Sequence, residues 1–102
     1  MAVGQNAGVG GQYAHLTTAA NYLVKGNATS GAASPGLLHG IVVGTGTSSG
    51  VITIYDGISA AGAVIGVINA AAPGNYSFNV WFNIGLFVVV SGATIDATVS
   101  FA

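Results

Sequence analysis

The chain has 102 residues, with one lysine or arginine, two carboxylates, two histidines and no cysteine, for a formal net charge of −1 at neutral pH. This inventory excludes disulfides and thiolate metal sites and lacks the basic stripe that nucleic-acid binding needs. Charged residues are 3% of the chain and apolar residues 52%, against about 25% charged in ordinary soluble domains, so the composition describes one folded domain with an almost non-ionic surface.

Residues 1–12 are glycine-rich, with Gly4, Gly8, Gly10 and Gly11, a composition that favours an extended arm over a packed element. The start has neither a basic region nor an apolar core, so it does not read as a secretory signal. Residues 13–25, YAHLTTAANYLVK, bring aromatic and aliphatic groups and read as extended, with a short helix around Thr17 to Leu23 as the alternative. Residues 26–36, GNATSGAASPG, are a loop by their Gly, Ser and Pro content. The organisation expected is an extended N-terminal arm and loop over 1–35 and a β domain over 36–102.

From Leu37 the punctuation becomes regular. The runs LLHGIVV, VITIYD, AVIGVI, YSFNVWF, LFVVV and TIDATVSF alternate with turns rich in Gly, Asn, Ser and Pro. Short β-branched and aromatic runs at this spacing predict an all-β fold, a small antiparallel β-sandwich of jelly-roll or Ig-like type. Residues 58–72, ISAAGAVIGVINAAA, are uncharged but shorter than the roughly 20 residues of a spanning helix, and no membrane partner is expected.

Two runs alternate cleanly. Tyr76, Phe78, Val80 and Phe82 point one way, and Ser77, Asn79, Trp81 and Asn83 the other. Ile95, Ala97, Val99 and Phe101 are expected to face the core, with Thr94, Asp96, Thr98 and Ser100 facing out. LLHGIVV and LFVVV are apolar on both sides, so their outer faces call for a cover, either a neighbouring subunit or the N-terminal segment. Edge strands are ordinarily guarded by Lys, inward charges, Pro or bulges. The sole lysine, Lys25, precedes the regular β region, so edges that are short, bulged or paired with another chain are expected.

Catalytic chemistry has little to work with. Asp56 in the stretch YDG reads as a turn residue, because Asp bonds nearby backbone and Gly accepts unusual φ. Asp96 is the only other carboxylate, and no spacing joins the two into an acid/base pair. His15 and His39 have no third ligand nearby in sequence, so neither a metal nor a cofactor is expected. GTGTSSG lacks the lysine of a phosphate loop and runs into a strand, so it reads as a hairpin loop. Trp81, on the polar side of its strand, is an interface candidate.

The block GLLHGIVVGTGTSSGVITIYDG through GAVIGVINAAAPGNYSFNVWFNIGLFVVVSGATIDATVSF, roughly residues 36–102, resembles small bacteriophage virion proteins, the capsid cement or decoration proteins of β-sandwich type. The resemblance implies a non-enzymatic structural protein on the capsid surface that bridges capsomers. Its implied partners are the major capsid protein and itself, as a homotrimer or homodimer. Tyr13, His15, Leu16, Tyr22, Leu23 and Trp81 are the candidate interface residues. A tail- or fibre-associated host- or carbohydrate-binding module, with Tyr13, Tyr22 and Trp81 stacking on sugars, is the competing expectation.

Overall fold

The computed structural model describes residues 12–27, 29–30, 32–46 and 49–102. Eight strands follow in chain order: β1 (Gln12–Leu16), β2 (Asn21–Lys25), β3 (Gly36–Thr45), β4 (Val51–Asp56), β5 (Ala63–Asn69), β6 (Gly74–Phe82), β7 (Leu86–Ser91) and β8 (Asp96–Phe101). They form two four-stranded sheets, β1-β8-β3-β6 (sheet A) and β2-β7-β4-β5 (sheet B), antiparallel at every pairing. The all-β expectation holds. The Gly-rich residues 1–11 lie outside the described residues.

The pairing is nested. β1 pairs with β8, β2 with β7, β3 with β6 and β4 with β5. β3 then adds to β8 and β4 to β7, which closes each sheet. Only β4 and β5 are sequence neighbours within one sheet. Residues 12–25, read from sequence as part of the arm, supply an outer strand to each sheet. Leu16 is 2% exposed within the core, so a cut after residue 20 would remove a structural strand. The reason is non-local: β1 is only five residues long, and its partner β8 lies at the far end of the sequence, where no local pattern points to it.

Period-2 alternation sets which residues enter the core. From sheet A come Leu16, Leu38, Ile41, Val43, Phe82, Ala97, Val99 and Phe101; from sheet B come Ile52, Ile54, Ile68, Leu86, Val88 and Val90, all in one cluster. On β6 the inward set Tyr76, Phe78, Val80 and Phe82 and the outward set Ser77, Asn79 and Trp81 fall as the alternation predicts. On β8 Ala97, Val99 and Phe101 are buried, and Ile95 just before the strand is buried with them. The sheets approach closely at Gly66 on β5, where a Cβ would stand 2.7 Å from the Phe78 ring of β6. Gly92 turns β7 into β8 with φ 87°, a left-handed conformation that favours glycine. A Cβ there would also fall 1.8 Å from the Ser49 carbonyl oxygen.

Each sheet has two edges, and three of the four edge strands are irregular. β2 carries an extra residue between Leu23 and Lys25, β5 one opposite the Ile54–Tyr55 step, and β6 one across from Leu38–Gly40. Such bulges twist an edge away from further pairing. β1 alone keeps an unbroken register.

Candidate functional site

The two outward sheet faces, the cleft at the β1/β2 side and the Asp56 junction hold the functional candidates. Sheet B turns Leu23, Val51, Thr53, Tyr55, Val64, Val67, Phe87 and Val89 outward. This follows from the register, which lines up Leu23, Phe87, Tyr55 and Val64 in one row, Asn21, Val89, Thr53 and Val67 in the next, and Ser91, Val51 and Asn69 in a third, so the face is uncharged and mainly apolar with polar members at its ends. Phe87 is only 9% exposed yet lies outside the core cluster, because Leu23 and Tyr55 flank it. Its ring meets Tyr55 at 6.2 Å with a 56° tilt, a favourable aromatic geometry. Toward the β5 edge the cover ends, and Val64 and Val67 are 58% and 63% exposed. No charged side chain belongs to these rows.

Sheet A differs. Its outward positions are Tyr13 and His15 on β1, Asp96, Thr98 and Ser100 on β8, Gly40 and Val42 on β3, and Asn75, Ser77, Asn79 and Trp81 on β6. Hydroxyls and amides dominate. His15 and Asp96 join in an exposed side-chain hydrogen bond through Nε2 and Oδ1. They are far apart in sequence, so only the β1–β8 pairing brings them together. His39 sits half-buried at the β3 bulge, away from that pair. Among the described residues no group of three or more His, Cys, Asp or Glu side chains could hold a metal.

A cleft of about 510 Å3 opens between β1 and β2, lined by Ala14, His15, Leu16, Asn21, Tyr22, Leu23 and Val24. Four of the six sequence-nominated interface residues, His15, Leu16, Tyr22 and Leu23, therefore meet at one side of the molecule. Their roles differ. Leu16 is core. Tyr22 packs half-buried against the core, and its hydroxyl donates to the Thr18 carbonyl at 2.7 Å. Tyr22 is thus no free stacking platform. Tyr13 and Trp81 are outward, 45% and 74% exposed, but occupy opposite edge strands of sheet A.

Asp56 ends β4 and organises a distant connection rather than only its own turn. Its carboxylate accepts backbone N–H groups of Asn83 at 2.9 and 3.0 Å, Ile84 at 2.8 Å and Gly85 at 3.4 Å. The Gly57 N–H donates to the Gly85 carbonyl beside it at 3.0 Å. Burial pushes the Asp56 carboxyl up, but the donors from Ile84, Asn83 and Gly85 outweigh it and hold its pKa below the ordinary value. The carboxylate is therefore ionised at neutral pH and is fully occupied in holding the β6–β7 connection. Sequence reasoning recognised Asp56 as a backbone-bonding residue but had no signal for a partner 27 residues away.

Lys25 also serves the backbone. Its Nζ donates to the Pro35 carbonyl at 2.9 Å and lies 5.8 Å from the Phe82 ring centroid. Among the described residues, no helix is long and apolar enough to cross a membrane. Comparison with protein-family models, with curated proteins and with solved structures finds no match.

Proposed function

We propose that this chain is a structural protein of a bacteriophage virion, a cement or decoration protein on the capsid surface that bridges capsomers and contacts its own copies. The observation that carries this reading is the outer face of sheet B, an uncharged and mainly apolar surface on a chain with only three charged residues. Such a surface suits a lasting neighbour better than open solvent.

We further propose that the two sheets form a jelly roll. The four nested pairs describe one long antiparallel ribbon folded over on itself, and each sheet then takes alternate segments of it. That eight-stranded, double Greek-key arrangement recurs in viral capsid and lectin domains. The fold raises the prior for a virion role without assigning one.

Area sets how such a protein attaches. Four strands at about 4.8 Å spacing and about 20 Å long give roughly 400 Å2 of sheet face. That is about half of the roughly 800 Å2 each partner gives to a standard interface. One face makes a weak contact, and repetition over a symmetric shell makes a firm one. The unbroken β1 edge offers a second point of contact. Nothing in this role calls for catalysis or a cofactor.

The test is density-gradient separation of particles from the organism that produces the chain. The chain is expected in the particle band, and Val64→Asp with Val67→Asp should strip it from that band. A chain found wholly at the top of the gradient, with particles of that organism present, overturns the proposal.

A further inference from the structure

The outward side of β6 and its exit reads Asn75, Ser77, Asn79, Trp81, Asn83: amide, hydroxyl, amide, indole, amide, all exposed. Successive members stand about 7 Å apart along a strand. Among the described residues, the side chains of Asn75, Ser77, Asn79 and Asn83 form no hydrogen bond within the chain. Asn21 on β2 is likewise unbonded through its side chain, whereas two other asparagines are used differently. Asn27 Oδ1 accepts from the Ser30 N–H, and Asn69 Oδ1 from the Ala71 N–H, each closing a turn. The β6 amides are thus free to bond outward, and each both donates and accepts.

Two further features single out this row. Trp81 is 74% exposed, an apolar plane set among polar groups and neighboured across the ladder by Leu37. Asn79 is held at φ 52°, a left-handed conformation uncommon outside glycine and costing free energy, though Asn tolerates it better than most residues. The bulge there also changes the direction in which the Asn79 amide is presented beside the indole.

We propose that this row is a binding track for a neutral saccharide chain. A pyranose ring has an apolar face of C–H groups, suited to stacking on an indole, and a rim of hydroxyls that both donate and accept, suited to amides and a serine. Ionic ligands fit poorly. No lysine or arginine lies in the row, the one imidazole beside it being His39 on β3 opposite the Phe78–Asn79 bulge, and the nearby Asp56 carboxylate is committed to the 83–85 backbone. Across the sheet the His15–Asp96 pair is self-contained. The length of the row favours an oligosaccharide over a single sugar. Of the aromatic residues first considered for stacking, only Trp81 belongs to it. The inference is independent of the shell reading, since it uses the opposite sheet.

Trp81 is the sole tryptophan, so its fluorescence reports on the row directly. The probes are gluco-, galacto- and N-acetylglucosamine oligomers at millimolar concentration, with a sulfated oligosaccharide as the ionic control. At least one neutral oligomer is expected to shift the emission to the blue and to saturate, while the sulfated one does not. Asn79→Gly keeps the backbone conformation and Ser77→Ala keeps the fold; each should weaken binding by about tenfold, the effect of losing a hydrogen bond or two. Calorimetry with Trp81→Ala should show no heat of binding. Three results overturn the proposal: no response to any neutral oligomer, undiminished affinity in Asn79→Gly and Ser77→Ala, or an emission shift that follows protein concentration alone.

Discussion

The two outward sheet faces are built on the same plan and carry opposite chemistry. Each is the outside of a four-stranded antiparallel sheet whose alternation is interrupted by bulges. On sheet B the outward positions are mainly apolar, Phe87, Val89, Tyr55, Val64 and Val67 with Thr53 and Asn21 among them; on sheet A they are mainly amides and hydroxyls, Asn75, Ser77, Asn79, Thr98 and Ser100, with Tyr13, Val42 and Trp81 as the apolar members. Ionic side chains scarcely contribute to either. Without charge to make a surface wet, the chain has one face hydrated by amides and hydroxyls and one suited to being covered. An all-round apolar exterior would aggregate.

Phe87 and Trp81 bring out that contrast most strongly, since both are outward aromatics. Phe87→Ala removes a 9% exposed ring packed on Tyr55 and should cost about 3 kcal/mol of stability in urea unfolding. A loss near zero would mean that the outer cluster of sheet B contributes nothing to the fold.

Asp56 ties the end of β4 in sheet B to the connection by which the chain leaves sheet A for sheet B. Asp56→Asn should cost about 1–2 kcal/mol, because three N–H groups lose an ionised acceptor that is partly screened by solvent. The sign with pH follows from the lowered folded pKa. The stabilisation is complete above the unfolded value of about 3.9 and is lost as pH falls through the lower folded value. Unfolding midpoints of the wild type should therefore drop on that acid side, and those of Asp56→Asn should lack this component.

Val64→Asp with Val67→Asp should alter folding by no more than about 1 kcal/mol, because both side chains are more than half exposed. The same pair should abolish self-association, whereas Ser77→Asp on sheet A should leave it unchanged. The smallest effect on folding is expected from Trp81→Ala, within about 0.5 kcal/mol by thermal unfolding, since the ring is 74% exposed.

Local pattern made much of this legible. Strands β3 to β8 announce themselves because their β-branched and aromatic runs end at Gly, Asn, Ser or Pro, and the outward phase of Trp81 follows from the clean alternation of YSFNVWF. β1 and β2 did not separate from the arm, because five-residue strands gain their stability from partners distant in sequence. The His15–Asp96 contact and the Asp56 grip on residues 83–85 were hidden for the same reason, since sheet pairing creates them. The apolar outer face of sheet B was visible in LFVVV as a strand greasy on both sides. Its mate on β5 was not, because a bulge at Ile65 shifts the phase that puts Val64 and Val67 outside.

Sedimentation equilibrium over a range of concentrations tests most directly whether sheet B is a face made for neighbours. The wild type should rise above the single-chain mass as concentration approaches the millimolar range, as expected for a contact of half the standard area, and the Val64→Asp, Val67→Asp variant should stay at the single-chain mass throughout. A wild type that remains monomeric across that range, indistinguishable from the variant, would contradict the account.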